Sequence, residues 1–169
     1  MNKENIHPLL RDRFSSRRMD AKRPISSSQI DQILQAACWA PSANNQQPWR
    51  YLIFDESTPN ERQTARSCLN PSNQIWANNA PVLILALAEQ TRSDGKTNPK
   101  AIHDLGMANE NLLLQATALG LHCRPMGGFD FDCVRKTFDI PERFLPVVII
   151  AIGYRSEEHT SELQSPNTI

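Results

Sequence analysis

The stretch "APSANNQQPW", residues 40–49, decides how this 169-residue chain is interpreted, because it joins a predicted helix to a predicted strand. Its serine, asparagines and glutamines offer hydrogen-bond donors and acceptors without charge. Such a set suits the edge of a neutral heterocycle that alternates donors and acceptors. The alternative is a helix-to-strand loop whose amides satisfy unpaired backbone groups. The segment alone leaves both interpretations open and slightly favours the loop.

The helix before this segment and the strand after it follow from residue patterns. Apolar residues recur from Ile30 to Cys38 at helical spacing, and Ser26 with Gln29 forms a predicted capping box. Pro41 ends this helix. The aromatic and β-branched run "WRYLIF", residues 49–54, predicts a strand.

The remaining segments predict a single α+β domain. Two continuous apolar runs read as strands buried on both faces, and they mix with helices without a strict β-α-β rhythm. The predicted elements are a weak helix over residues 58–69, a strand over 82–88, a helix over 101–119 closed by Gly120, a helix from Phe131 to before Pro141 capped by Asp130 or Asp132, and a strand over 147–152.

Composition excludes several classes of function. Lysine and arginine total 18, as do aspartate and glutamate, which argues against a nucleic-acid footprint, since that would need a clustered basic excess. We expect no membrane span and no signal peptide, and we predict a cytoplasmic protein. The cysteines lack the spacing of a zinc site or a disulfide scaffold, so we expect reduced thiols, with two of them serving as small apolar fillers. The four are Cys38, Cys68, Cys123 and Cys133, and the fillers are Cys38 and Cys123.

Two further segments could hold a ligand. In "RFSSRR", residues 13–18, Arg13, Ser15 and Arg17 alternate and would project to one side of an extended chain, as a phosphate clamp requires. In "RPMGGFD", Gly127 and Gly128 would let backbone N–H groups approach a ligand closely. The alternatives are a solvated basic arm and an ordinary glycine turn.

Taken in order, these segments resemble the nitroreductase family of FMN-dependent enzymes. The resemblance runs from about Leu9 to Tyr154, and its most specific part is P-S-x-x-N-x-Q-P-W within residues 41–49. It implies a central, mostly antiparallel sheet flanked by helices, in an intertwined homodimer that binds FMN at its interface.

The resemblance also implies roles for individual residues. Arg13, Ser15 and Arg17 stand where the family holds the FMN phosphate, ribityl chain and pyrimidine oxygens, and Asn73 stands where an asparagine reaches the flavin ring. The Gly127 backbone would lie near flavin N5. The other implied contacts are Pro125, Met126 and Gly128, with Pro41, Ser42, Ala43 and Asn45 from the second subunit.

The implied reaction is a hydride transfer through the flavin. NADH or NADPH would reduce FMN, and a small acceptor such as a nitroaromatic or a quinone would reoxidise it, so we nominate no catalytic side chain and no metal. We expect His103 to be a surface or capping residue and Asn109 to bond within the core. The alternatives are other flavin chemistry (dehalogenation, flavin fragmentation or ring dehydrogenation), a non-catalytic flavin-binding protein, and a structural interaction domain.

The last residues depart from the family. Where a dimer-embracing segment is expected, this chain has "RSEEHTSELQSPNTI", and its first eleven residues can be back-translated into a sequence resembling a sequencing-library adapter. We therefore predict a family domain over residues 1–154, truncated at its C-terminus, and a non-native tail over 155–169. The alternative is a native polar tail. We expect the truncation to weaken FMN binding or to impair folding.

Overall fold

Four strands form one antiparallel sheet in the order β1-β2-β4-β3. The structure is a computed structural model that describes residues 5–156. From residue 157 onward, the predicted non-native tail lies outside the described residues. The strands are β1 (Trp49–Phe54), β2 (Val82–Glu89), β3 (His122–Met126) and β4 (Phe144–Gly153). The helices are α1 (Pro8–Asp12), α2 (Ser27–Cys38), α3 (Pro59–Ser67), α4 (Pro71–Ala77), α5 (Ala101–Ala118) and α6 (Phe131–Thr137), with a 3₁₀ turn at Ala43–Asn45.

The two central strands are buried on both faces, as their apolar runs predict. Along β2, Ile84 and Ala86 pack with α2 and α5, whereas Leu83 and Leu85 point to the opposite face. That second face is covered by residues of α3, α4 and α6. Because successive side chains alternate across a strand, a run such as "VLILALA" is stable only between two apolar layers. The sheet therefore lies in the middle of the molecule, with an edge strand on each side.

Local signals placed several helix ends correctly. Gln29 N–H donates to Ser26 Oγ at 3.3 Å and Ser26 N–H donates to Gln29 Oε1 at 3.2 Å, which confirms the capping box. Gly120 follows α5 in the left-handed region, with φ of 72°, as expected for the residue that closes a helix. Asp130 is the cap of α6, since its Oδ1 accepts the Cys133 N–H at 2.9 Å.

Sequence patterns missed α1, α4 and β3. Asn70-Pro71 reads as a chain break, yet Pro71 opens α4, where its fixed φ suits a first helical position. Strand β3 contains Pro125, which an edge strand tolerates because proline has no N–H to pair and only one neighbouring strand requires hydrogen bonds. Among residues 5–156, no helix is both long and apolar enough to cross a bilayer.

The expectation of four reduced thiols was wrong, because Cys68 and Cys133 form a disulfide that joins the end of α3 to α6. A sequence separation of 65 residues gave no sign that the two lie together. Cys38 is exposed and is therefore not a core filler. Cys123 is buried as expected, and burial raises the pKa of its thiol to about 12, so it stays protonated.

Hydrogen bonds from the start of α4 hold Gly127 and Gly128, called here the glycine bend, through the second glycine. Gly128 C=O accepts the Asn70 N–H and the Asn73 Nδ2 amide, both at 3.0 Å. Asp130 N–H donates to Cys68 C=O at 2.8 Å. These contacts are dense enough that a Cβ on Gly128 would lie 2.7 Å from Asn70 Nδ2 and 3.0 Å from Asn73 Nδ2.

Removing the disulfide should destabilise the fold. We expect Cys68→Ser or Cys133→Ser to lower the free energy of unfolding by about 2–5 kcal/mol, because the unfolded chain regains the freedom of a long loop. Chemical denaturation with and without a thiol reductant measures the change. The matched control is Cys38→Ser, which should have no effect. A wild type whose stability does not respond to reductant would contradict the pairing.

The two glycines should respond differently to a methyl group. Gly128→Ala should cost about 1–3 kcal/mol of stability, since it drives the Asn70 and Asn73 amides away and breaks a hydrogen bond. Gly127→Ala should be tolerated, because a Cβ there has no atom within 4 Å. Thermal unfolding of the two variants side by side tests this, and equal midpoints would refute the close approach.

Candidate functional site

Residues 13–17, called here the arginine arm, lie beside the edge strand β3. Ser15 pairs with Cys123 in a parallel bridge, and Arg124 Nη1 donates to Ser15 C=O at 3.3 Å. Ser15 and Arg17 are exposed while Ser16 between them is buried. The predicted alternation therefore holds for Ser15 and Arg17. Arg13 is half-buried, with its Nε 3.7 Å from Glu110 Oε1 on α5.

Helix α4 brings the arginine arm to the glycine bend. The Arg17 guanidinium lies 5.2 Å from the centre of the Trp76 ring, and one turn earlier on α4 Asn73 bonds to Gly128. Arg124 also lies over Trp76, at 5.8 Å. A cation over an aromatic face is attracted by the ring quadrupole. Two of the three segments singled out by sequence thus meet around one short helix within a single chain.

The imidazole beside the arm is held neutral. His122 contacts the Phe14 ring edge-on, with ring centres 4.9 Å apart. Burial, followed by the nearby Arg155 cation, lowers the pKa of His122 below its usual value. Positive charge at this edge of the sheet therefore comes from arginines and not from histidine.

Residues 41–47, called here the polar junction, form a loop with a strained backbone. Asn44, Asn45 and Gln47 have φ of 52°, 54° and 46°, a region that residues other than glycine adopt at a cost of about 1–3 kcal/mol each. Ser42 Oγ accepts the Gln47 N–H at 3.0 Å, and Gln47 Nε2 donates to Asn45 Oδ1 at 2.8 Å. Much of this amide chemistry therefore serves the loop itself, as the alternative interpretation expected.

The junction is also tied to its surroundings. Gln46 Oε1 accepts the Ser93 N–H at 3.3 Å. Ala43 N–H donates to Asp104 Oδ2 at 3.0 Å, and the Asp104 side chain is only 2% exposed. Such persistent strain is expected where the surrounding structure over-determines a segment.

The junction and the glycine bend lie on opposite edges of the sheet but at the same end. Trp49 begins edge strand β1 opposite Ala88, whose other neighbour is Leu145 near the start of β4. Met126, opposite Ile149, ends β3 on the other edge and runs toward that same end. Three strand spacings of about 4.8 Å separate the edges by about 14 Å. One chain therefore brings the arm and the bend together and leaves the junction apart.

The remaining residues singled out from the sequence differ in exposure. Pro125 is exposed, but the Met126 side chain is buried among core residues, so only its backbone can face a ligand. His103 is a surface residue, as expected. Asn109 bonds within the protein, accepting the Tyr51 hydroxyl at 3.0 Å. Burial, together with Cys38, raises the pKa of Tyr51, so the phenol remains a neutral donor.

Sequence reasoning missed Asp104, Asn70 and Trp76. Asp104 interrupts the apolar face of α5, and a carboxylate on such a face is the signal that could have found it. Trp76 lies in α4, which was not predicted as a helix, and Asn70 is the N-cap residue that precedes it. Within residues 5–156, no group of histidine, cysteine or acidic side chains is arranged to hold a metal ion.

Comparison with known proteins identifies the family and the fold. The model of the Nitroreductase family matches residues 10–154. A relative from Polynucleobacter asymbioticus, named "Putative NADH dehydrogenase/NAD(P)H nitroreductase", is 31% identical, and the alignment covers 79% of this chain and 77% of that protein.

Solved structures share the fold. A structure titled as an oxidoreductase containing FMN superposes with a TM-score of 0.86 at 33% identity, covering 93% of this chain and 80% of that one. A nitroreductase family protein from Clostridium difficile 630 superposes with a TM-score of 0.73 at 27% identity, covering 88% and 83%. The four-stranded antiparallel sheet and its two helical layers are therefore the nitroreductase-like fold, and this chain belongs to the nitroreductase family.

Proposed function

We propose that this chain is an FMN-dependent oxidoreductase that uses NADH or NADPH to reduce a small acceptor such as a nitroaromatic or a quinone. A relative named as an NAD(P)H nitroreductase and a structural neighbour titled as containing FMN support the reaction class. The observation that carries the proposal is the meeting of Arg17, Asn73 and Gly128 around α4.

The residues present fit FMN. A phosphate needs cations that can reach it, and Arg17 lies exposed at a bend in the arm, with Ser15 also exposed. A flat ring needs open backbone, and Gly127 is exposed, with no atom within 4 Å of an added Cβ. When bound, FMN would supply a ring that can accept hydride from a nicotinamide and pass the electrons on to an acceptor.

The chain's own residues would bind and orient the cofactor. Arg13, Ser15 and Arg17 would hold its phosphate and sugar chain, and Asn73 would keep the glycine bend fixed beside the ring. Pro125 and the backbones of Met126, Gly127 and Gly128 would form the surface against which the ring packs. No side chain is assigned as an acid or base, because hydride transfer at the flavin requires none from the protein.

The polar junction would act on the FMN of a second copy, in a homodimer. In one chain the junction and the glycine bend lie at opposite edges of the sheet, and the edges are about 14 Å apart across the strands. The junction residues Pro41, Ser42, Ala43 and Asn45 would therefore complete the site of the second copy, across an interface. Large apolar side chains lie exposed near both halves: Trp39 is 86% and Ile75 66% exposed. Exposed apolar surface of this kind commonly marks an interface. A cytoplasmic location, where reduced nicotinamides are available, is part of the proposal.

Spectroscopy tests the function directly. The protein reconstituted with FMN should show the visible absorbance of an oxidised flavin, and anaerobic addition of NADH or NADPH should bleach it. An acceptor such as a quinone should then restore it. Protein that binds FMN but is not bleached by either nicotinamide would be a flavin-binding protein without this activity.

The arginine arm should account for much of the FMN affinity. Arg17→Ala should weaken binding about 10- to 100-fold, since a charge-assisted bond contributes about 1.5–3 kcal/mol. The matched control is Arg11→Ala, on the preceding helix α1, whose guanidinium pairs with Asp12. Fluorescence titration with FMN measures both. Equal affinity of the two variants would remove the arm from the site.

A further inference from the structure

A buried carboxylate links the polar junction to the core helix α5. Asp104 Oδ2 accepts the Ala43 N–H at 3.0 Å, and Oδ1 lies 3.2 Å from His103 Nδ1. The side chain of Asp104 is 2% exposed, whereas that of His103 is 69% exposed. The charged acceptor is therefore enclosed, with the junction backbone on one side and the imidazole on the other.

Asp104 is placed on a rigid support. It lies in the first turn of α5, where the helix dipole favours a negative side chain. Its neighbours Ala101, Leu105 and Ala108 are at most 1% exposed and belong to the main core cluster. The bond from the Ala43 N–H has an ordinary length of 3.0 Å, and its enclosure makes loss of the acceptor costly, because the N–H would be left without a partner.

The junction requires such support. Three of its residues hold left-handed backbone conformations. The bonds from Ser42 to Gln47 and from Asn45 to Gln47 close the loop on itself and do not fix where it points. Two bonds do leave the loop at exposed positions, from the Ser93 N–H to Gln46 Oε1 and from Arg50 Nη1 to the Gln47 carbonyl. The bond to Asp104 is the more buried contact, and it ties Ala43 to a helix of the core.

We propose that Asp104 is a positioning residue that holds the polar junction in the orientation needed to contact flavin. The inference rests on the proposed function. It assigns a role to a residue outside the flavin contacts, acting through Ala43. Because Asp104 occupies the Ala43 N–H, this group is not free for the ligand, and the junction presents its remaining backbone and side chains instead.

Substitutions at position 104 distinguish the role of the hydrogen-bond acceptor from the role of the negative charge. Asp104→Asn keeps an oxygen for the Ala43 N–H, and its amide can donate to a neutral His103 Nδ1. Asp104→Leu has a similar size and no acceptor, and Asp104→Ala removes the acceptor with less steric demand, in case the leucine variant does not fold. The control for general damage to α5 is Leu112→Ala, at a fully buried position on the same helix.

Hydrogen exchange of the Ala43 amide measures, without any ligand, whether Asp104 holds the polar junction in place. In the wild type the Ala43 amide should be protected, and in Asp104→Leu or Asp104→Ala it should exchange at least about tenfold faster relative to α5 amides. Asp104→Asn should retain most of the protection. Leu112→Ala should lower the melting temperature without selectively exposing Ala43. An unprotected Ala43 amide in the wild type, or equal protection in the acceptor-less variants, would overturn the proposal.

Flavin binding provides the second measurement. Loss of the acceptor should weaken FMN binding about 10- to 100-fold and alter the visible circular dichroism of bound flavin, and Asp104→Asn should restore both. An acceptor-less variant with wild-type affinity and dichroism would show that Asp104 does not position the site. Because the truncation is expected to weaken binding, the wild type is titrated to a large excess of FMN. A folded wild type that still binds no FMN would refute the proposed function, while the exchange measurement would still report whether Asp104 holds the loop.

Discussion

The constraint on which this structure depends is the burial of β2 and β4 on both faces. Each strand carries apolar side chains in both directions, so helices must cover the sheet above and below. With the centre of the sheet enclosed, polar and glycine-containing segments can lie only at the edge strands and the loops beyond them. The arginine arm and the glycine bend occupy one edge, and the polar junction the other.

The arrangement at the first edge is built from contacts between unrelated parts of the sequence. Arg17 reaches α4 through Trp76, and α4 reaches the glycine bend through Asn73. The disulfide from Cys68 to Cys133 links the end of α3 to α6, the helices that precede α4 and follow the glycine bend in the chain. A short helix without strong intrinsic stability therefore becomes the centre of the candidate site, because tertiary contacts hold it at several points.

The sequence predicted the parts of the fold that depend on local physics. Periodicity placed α2, α5, β1 and the central strands. Capping chemistry located Ser26 and Gly120 and limited the cap of α6 to Asp130 or Asp132, of which Asp130 is the cap. Sequence patterns did not predict the features that long-range contacts determine. Pro71 looks like a break until α4 is seen to pack on the glycine bend, and Cys68 and Cys133 look unrelated because a 65-residue separation conceals their proximity. The candidate site followed mainly from the family resemblance, since each motif alone had an ordinary explanation. A carboxylate on the apolar face of α5 could have drawn attention to Asp104, but its partner Ala43 is known only from the fold.

The close approach at Gly128 has a consequence for how such chains can diverge. Its position faces the amides of Asn70 and Asn73 with less room than one methyl group needs. A larger side chain at position 128 is compatible with the fold only if the residue at 70 or 73 is smaller or turns away. Asn73 is also the residue proposed to fix the glycine bend beside the ligand. We therefore expect the residue types at positions 70, 73 and 128 to change together, because a substitution at one of them limits which side chains fit at the other two.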